Sequence, residues 1–177
     1  MRRLRYQVAT SLDGYIAPPD GSTDWIATDP DIDFSALFAQ FDTFLMGRRT
    51  FETAGGMAAG KRLVVASTTL NPSEHDRITI IGDDLAPQVA ALKAEPGKDI
   101  WLFGGGELFR SLLDADLVDT VELAIVPVVL GDGTPFLSHP ASRAQLMLVR
   151  HRICKKTGIV LLEYDVQRDA TARAAGA

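Results

Sequence analysis

Three consecutive glycines, Gly104-Gly105-Gly106, separate the apolar run Ile100-Trp101-Leu102-Phe103 from a helical pattern in which Leu108, Phe109, Leu112 and Leu113 share a face. Backbone without side chains approaches a ligand closely. The bare N–H groups of a helix start, with the positive end of the helix dipole, suit an anion and most often a phosphate. The same residues also fit a tight strand-to-helix turn that needs positive φ, and the stretch by itself leaves both readings open. A dinucleotide fingerprint of the G-x-G-x-x-G kind requires glycine where Phe109 stands and usually opens its domain. This run lies past the middle of the chain, so a phosphate site here belongs to another α/β arrangement.

Two further strand ends carry groups of the same chemical kind. In Phe44-Leu45-Met46-Gly47-Arg48-Arg49-Thr50 a glycine allows close approach, two guanidinium forks match phosphate oxygens, and a hydroxyl sits in the first helical turn. Val64-Val65-Ala66 ends in three hydroxyls, Ser67-Thr68-Thr69. Either stretch alone also reads as an ordinary solvated helix start or loop. On consecutive βα units, however, such strand ends gather at one edge of a parallel sheet, where ligands bind. Glycine turns, arginines and hydroxyls at that edge suit a dinucleotide carrying an extra phosphate.

The elements that must hold these groups are legible in the hydrophobic pattern. Strands are expected at Arg5–Thr10, Thr43–Met46, Arg62–Ala66, Ile78–Ile81, Asp99–Phe103 and Thr120–Val129, the last broken by Pro127, which suggests an edge or a bulge. Helices are expected at Asp33–Phe41, from Arg48, at Leu85–Ala94 with Asp83 or Asp84 as cap, and after the glycines. Ser11–Trp25 reads as a long loop, and Gln145–Cys154 with Ile159–Val166 as a hairpin about Lys156-Thr157-Gly158. The expected architecture is α/β: three layers, α/β/α, with a central mixed, mostly parallel sheet and an antiparallel C-terminal hairpin. One domain is expected over residues 1–168, followed by a disordered tail at 169–177.

Composition narrows the function classes. The 177 residues carry a net charge of −5, which disfavours nonspecific nucleic-acid binding. There is no signal-peptide pattern and no long apolar run, so the expectation is a cytoplasmic chain without a membrane segment. A single cysteine, Cys154, allows no internal disulfide and lies in a strand-like stretch that favours packing. His75, His139 and His151 lack ligand spacing, and no metal site is expected.

Taken in order, several motifs resemble the dihydrofolate reductase-like superfamily, in particular the branch typified by the RibD C-terminal (riboflavin biosynthesis reductase) domain. They are Ser11-Leu12-Asp13-Gly14-Tyr15-Ile16-Ala17 with Gly21 and Asp24-Trp25-Ile26, then Met46 to Glu52, Gly104 to Leu108, and Pro127-Val128-Val129-Leu130-Gly131-Asp132-Gly133-Thr134-Pro135-Phe136. The resemblance spans about residues 4–166. It implies NADPH as hydride donor, with Arg48, Ser67 and Thr68 at the 2′-phosphate, Thr50, Gly104, Gly105, Gly106, Glu107 and Leu108 at the pyrophosphate, and Gly47 in the cofactor turn. It also implies a cis peptide at Gly104-Gly105 and closure of the loop from Ala9 to Trp25 over the nicotinamide.

On the substrate side the resemblance points to Trp25, Gly131 and Pro135, and to one carboxylate among Asp13, Asp31 and Asp33 that binds the ring and assists proton transfer. Asp13 equally fits a turn cap, Asp31 and Asp33 read first as helix N-terminal acids favoured by the dipole, and Trp25 also fits packing. The resemblance includes no deaminase domain, so the bifunctional riboflavin enzyme is not expected; Gln7 stands where RibD-like chains often have lysine, which speaks against the phosphoribosyl precursor of riboflavin as substrate. The function implied is an NADPH-dependent reductase of a small heterocyclic, pterin- or pyrimidine-like, substrate. The alternative is a non-catalytic NADPH-binding module of the same fold. A homodimer paired through the apolar Val121–Val129 strand is expected by analogy.

Overall fold

The computed structural model describes residues 1–58, 60–139 and 142–168; the expected tail at 169–177 lies outside the described residues. Eight strands form one sheet: β1 (Leu4–Ser11), β3 (Phe41–Gly47), β4 (Arg62–Ala66), β5 (Ile78–Ile81), β6 (Asp99–Gly104), β7 (Thr120–Val126), β9 (Gln145–Ile153) and β10 (Val160–Gln167). Their spatial order is β5-β4-β3-β6-β1-β7-β10-β9. All neighbours from β5 to β7 run parallel, and β10 and β9 are antiparallel. A small ribbon of β2 (Tyr15–Ala17) and β8 (Thr134–Pro135) joins the first loop to the segment after β7.

Helices cover both faces, as buried parallel strands require. On the rear, α3 (Leu85–Ala94) and α4 (Gly106–Asp114) pack Val89, Leu92, Leu108, Phe109 and Leu112 against Leu4, Tyr6, Leu45, Ile100 and Leu102. The Phe109 ring stacks on Tyr6 with centroids 3.8 Å apart. On the front, α1 (Phe34–Phe38) and α2 (Arg48–Ala54) close over an aromatic cluster of Phe41, Phe44 and Trp101, joined by Phe38, Phe51 and Phe103.

Three expectations change. The first helix stops at Phe38, and Phe41, at helical spacing from Leu37 and Phe38, instead begins β3. Its ring is wanted in the front aromatic cluster, and a tertiary contact overrides the local period. The strand expected to run to Val129 ends at Val126, before Pro127. It is an inner strand between β1 and β10, so proline marks its end rather than an edge. The loop after β1 contains β2, whose three residues are too few to show a period.

Candidate active site

The carboxyl ends of β3, β4 and β6 and the front faces of β1, β7, β10 and β9 bound one open cleft of about 1650 Å³. That exceeds the 300–1,000 Å³ (roughly) usual for a single small ligand, and leaves room for a dinucleotide beside a second molecule. All three strand ends singled out in the sequence open into it: Gly47, Arg48 and Thr50; Ser67 and Thr68; and Gly104 through Leu108.

The three glycines differ in what they need. Gly104 has φ +137° and forms a cis peptide with Gly105. A Cβ on Gly106 would stand 2.5 Å from the Pro135 carbonyl oxygen, so backbone packing excludes it. Gly105 shares that cis peptide, but its φ is −85°, and beyond its chain neighbours a Cβ there would meet nothing closer than the Thr50 hydroxyl at 3.9 Å. A bare turn accounts for two glycines and leaves the third open toward the cleft. Gly105 is also the N-cap of α4 and makes no side-chain cap hydrogen bond, so the helix start keeps donors for an outside acceptor. The cradle fits the pyrophosphate of a dinucleotide.

The second junction works through side chains, because α2 spans only 7 residues and brings a short dipole. Thr50 faces the glycine turn. Arg48 is half exposed, with Glu52 one turn away at 3.7 Å. At the third, the Ser67 hydroxyl accepts from the N–H groups of Thr69 (3.2 Å) and Leu70 (3.1 Å), which orients it, and Thr68 lines the wall. Arg48 and the two hydroxyls line the same cleft, a combination that suits a phosphomonoester.

The other half of the cleft is a polar row on an otherwise apolar floor. Gln7, Glu122 and Glu163 lie directly opposite one another on β1, β7 and β10, and Arg150 continues the row on β9. Arg5 holds Glu122 with both ends of its fork, Nε to Oε1 at 2.6 Å and Nη2 to Oε2 at 3.0 Å. Hydrogen bonding and charge from Glu122 and Asp99 offset the opposing effect of burial and hold the Arg5 pKa above its ordinary value. Glu163 accepts from Arg150. Among the three proposed acids, Asp33 lines the cleft, and its Oδ1 caps α1 by accepting from Ala36 N–H at 2.9 Å.

Asp13 and Asp31 stand elsewhere. The Asp13 carboxylate accepts from the N–H groups of Leu130 (3.1 Å) and Gly131 (2.7 Å), tying the first loop to the segment after β7. Hydrogen bonding from the Ser11 hydroxyl, then from these amides, lowers its pKa to about 2. The Asp31 carbonyl accepts from Arg152, and its N–H donates to Asp29. Trp25 packs against Val126, Cys154 and Ile159, with its indole N–H on the Ser22 carbonyl. Pro135 lines the cleft beneath Gly106, and Gly131 serves the Asp13 link. The sequence reading missed Arg5, Glu122 and Glu163. The available signal was a lone acid, Glu122, in the middle of the apolar strand Thr120–Val126.

The pattern that defines the RibD C-terminal domain matches residues 2–160. The chain belongs to that family. It is 35% identical to the uncharacterized protein YyaP of Bacillus subtilis (strain 168), over 92% of this chain and 94% of the relative. A putative riboflavin biosynthesis protein from Shewanella sp. PV-4 superposes with a TM-score of 0.80 at 26% identity, covering 95% of this chain and 100% of that one. A dihydrofolate reductase from Enterococcus faecalis, solved with NADP(H) and RAB-propyl, shares the fold at a TM-score of 0.65 and 16% identity, over 93% and 94% of the two chains. The RibD C-terminal domain family and the dihydrofolate reductase fold are thus joined in this chain. Among the described residues no group of His, Cys, Asp or Glu is arranged to hold a metal ion, and no helix is long and apolar enough to cross a membrane.

Proposed function

We propose that the chain is an NADPH-dependent reductase of a small heterocyclic substrate of pterin or pyrimidine type. The observation that carries the reading is the convergence of the three junctions on one cleft, with Gly105 bare although neither its φ nor a contact beyond its chain neighbours demands it. The Gly104–Leu108 turn and Thr50 would hold the pyrophosphate, and Arg48 with Ser67 and Thr68 the 2′-phosphate. Bound NADPH supplies a hydride. The chain's own work is to hold the two rings face to face and to keep water out, for which the loop carrying β2 lies along the cleft through Ile16 and Ala17. Asp33, at the cleft wall, is the carboxylate placed to assist proton delivery. Asp13 and Gly131 fix the closing loop, and Trp25 backs it. Two copies would associate through β9 rather than through the inner strand β7, and the working compartment is the cytoplasm.

Calorimetry of NADPH and NADH tests the cofactor assignment. Arg48→Ala is expected to weaken NADPH by about 1.5–3 kcal/mol, the range for a lost charge-assisted contact, and NADH far less. Equal losses for both nucleotides would remove Arg48 from the 2′-phosphate.

A further inference from the structure

Glu122 is buried, 7% exposed, in the middle of an inner strand, yet its side chain lines the cleft. A buried ion pair is a poor way to stabilise a fold, since apolar residues of similar volume serve as well or better. The neighbouring positions on this face of β1 and β7 are Ala9 and Ala124, opposite one another, so the strand tolerates apolar residues there. The pair is also braced beyond what two strands need. Besides both Glu122 oxygens, Arg5 Nη1 donates to Gln40 Oε1 at 2.8 Å and to Asp99 Oδ2 at 3.3 Å, and the guanidinium lies 4.7 Å from the centre of the Phe41 ring. Each Glu122 oxygen takes one hydrogen bond from Arg5 and keeps a second lone pair. Gln7 stands one strand away, its amide oxygen buried without a protein partner, so turning that amide toward a ligand sacrifices no hydrogen bond there.

We infer that Glu122 is the substrate-anchoring carboxylate of the cleft, that Arg5 is its positioning residue, and that the group recognised is the amino-bearing edge of a flat nitrogen heterocycle. The two alanines leave a shallow seat above the row in which a flat ring can lie. Its donor edge then meets Glu122 and Gln7, whose strands are about 4.8 Å apart. That spacing suits two amino groups in a 1,3 relation on a six-membered ring. Arg5 compensates the carboxylate charge, so the ring need not be a cation, and a phosphate or carboxylate at this point is refused. The inference rests on the reductase reading only in naming the ring as the substrate. It concerns a different part of the cleft from the nucleotide cradle.

The test is calorimetric titration of 2,4-diaminopyrimidine and of unsubstituted pyrimidine into the protein, with and without NADPH. Wild type is expected to prefer the diamino ring by about tenfold or more, as loss of charge-assisted donors implies. Glu122→Gln should abolish that preference, while NADPH, titrated without the ring, still binds through the phosphate contacts that the variant keeps. Removing one charge of a buried pair leaves the other exposed to its cost, so the neutral double variant Arg5→Met with Glu122→Gln serves if the single variant fails to fold. The double variant must also lose the preference. A variant that retains it, or a wild type that has none, overturns the inference. Ring preference that depends on Glu122 in a protein that does not bind NADPH would overturn the cofactor reading and leave this one standing.

Discussion

Asp13 and Glu122 exchange the roles that their places in the sequence suggest. Asp13 sits in a glycine-flanked loop, where acids commonly meet substrate, and the fold uses it to grip the Leu130 and Gly131 amides. Glu122 sits in a strand and faces the cleft because Arg5, 117 positions away, comes alongside it. Linear spacing cannot show that meeting; it depends on the register of β1 with β7. The groups proposed to hold a nucleotide were legible because each junction is local, with glycine, arginine and hydroxyl only a few residues apart.

Asp13 gives a pH prediction. Its folded pKa of about 2 lies below the ordinary 3.8, so the link favours the folded state above the ordinary value and is lost as pH falls toward 2. Carboxyl-carbon NMR should find a midpoint near 2, and Asp13→Asn should flatten the melting temperature profile between about pH 4 and 2. A midpoint at the ordinary value would mean that the Ser11 and amide contacts do not form in solution.

At the scale of elements, the glycine run separates structural from ligand demands. Gly106→Ala forces a Cβ against backbone and is expected to cost about 1–3 kcal/mol of stability by chemical denaturation, as overpacking does. Gly105→Ala has space and an accessible φ, and should change stability by less than about 1 kcal/mol, the scale of a glycine N-cap replaced by alanine, while abolishing NADPH binding. A Gly105→Ala protein with full NADPH affinity would return all three glycines to the turn.

Element types and their order were readable because parallel strands and their helices differ in length and period. Strands β4 and β5 and helix α3 coincide with their expected limits. Their ends blurred where tertiary packing took over, as at Phe41, or where the element was too short for a pattern, as in β2. The Asp84 cap illustrates the limit of local chemistry: the residue occupies the N-cap position of α3 but makes no side-chain cap bond.

At the scale of the whole molecule, β9 is the exposed edge of the sheet. All nine of its residues are exposed, among them Leu146, Met147, Leu148, Val149 and Ile153. Leu146 and Leu148 lie opposite Val166 and Tyr164, so the hairpin carries an apolar face that ends without cover. Proteins rarely leave such an edge open, which is the basis for the proposed pairing of two copies. Leu148→Lys should convert a dimer to a folded monomer in analytical ultracentrifugation. A monomeric wild type would withdraw the pairing and leave the cleft untouched. Which strand lay at the edge was not legible in the sequence, because apolar residues look alike in an inner strand such as β7 and at an open edge such as β9.

The account stands or falls on where a nucleotide lies in this fold. A crystal structure of the protein soaked with NADPH is expected to show the pyrophosphate on the Gly104–Leu108 turn beside Thr50. The 2′-phosphate should lie between Arg48 and Ser67, and the nicotinamide over the β1 side of the cleft, facing the Gln7–Glu122 row. A nucleotide bound elsewhere, or a saturating soak that leaves the glycine turn without phosphate, would contradict it.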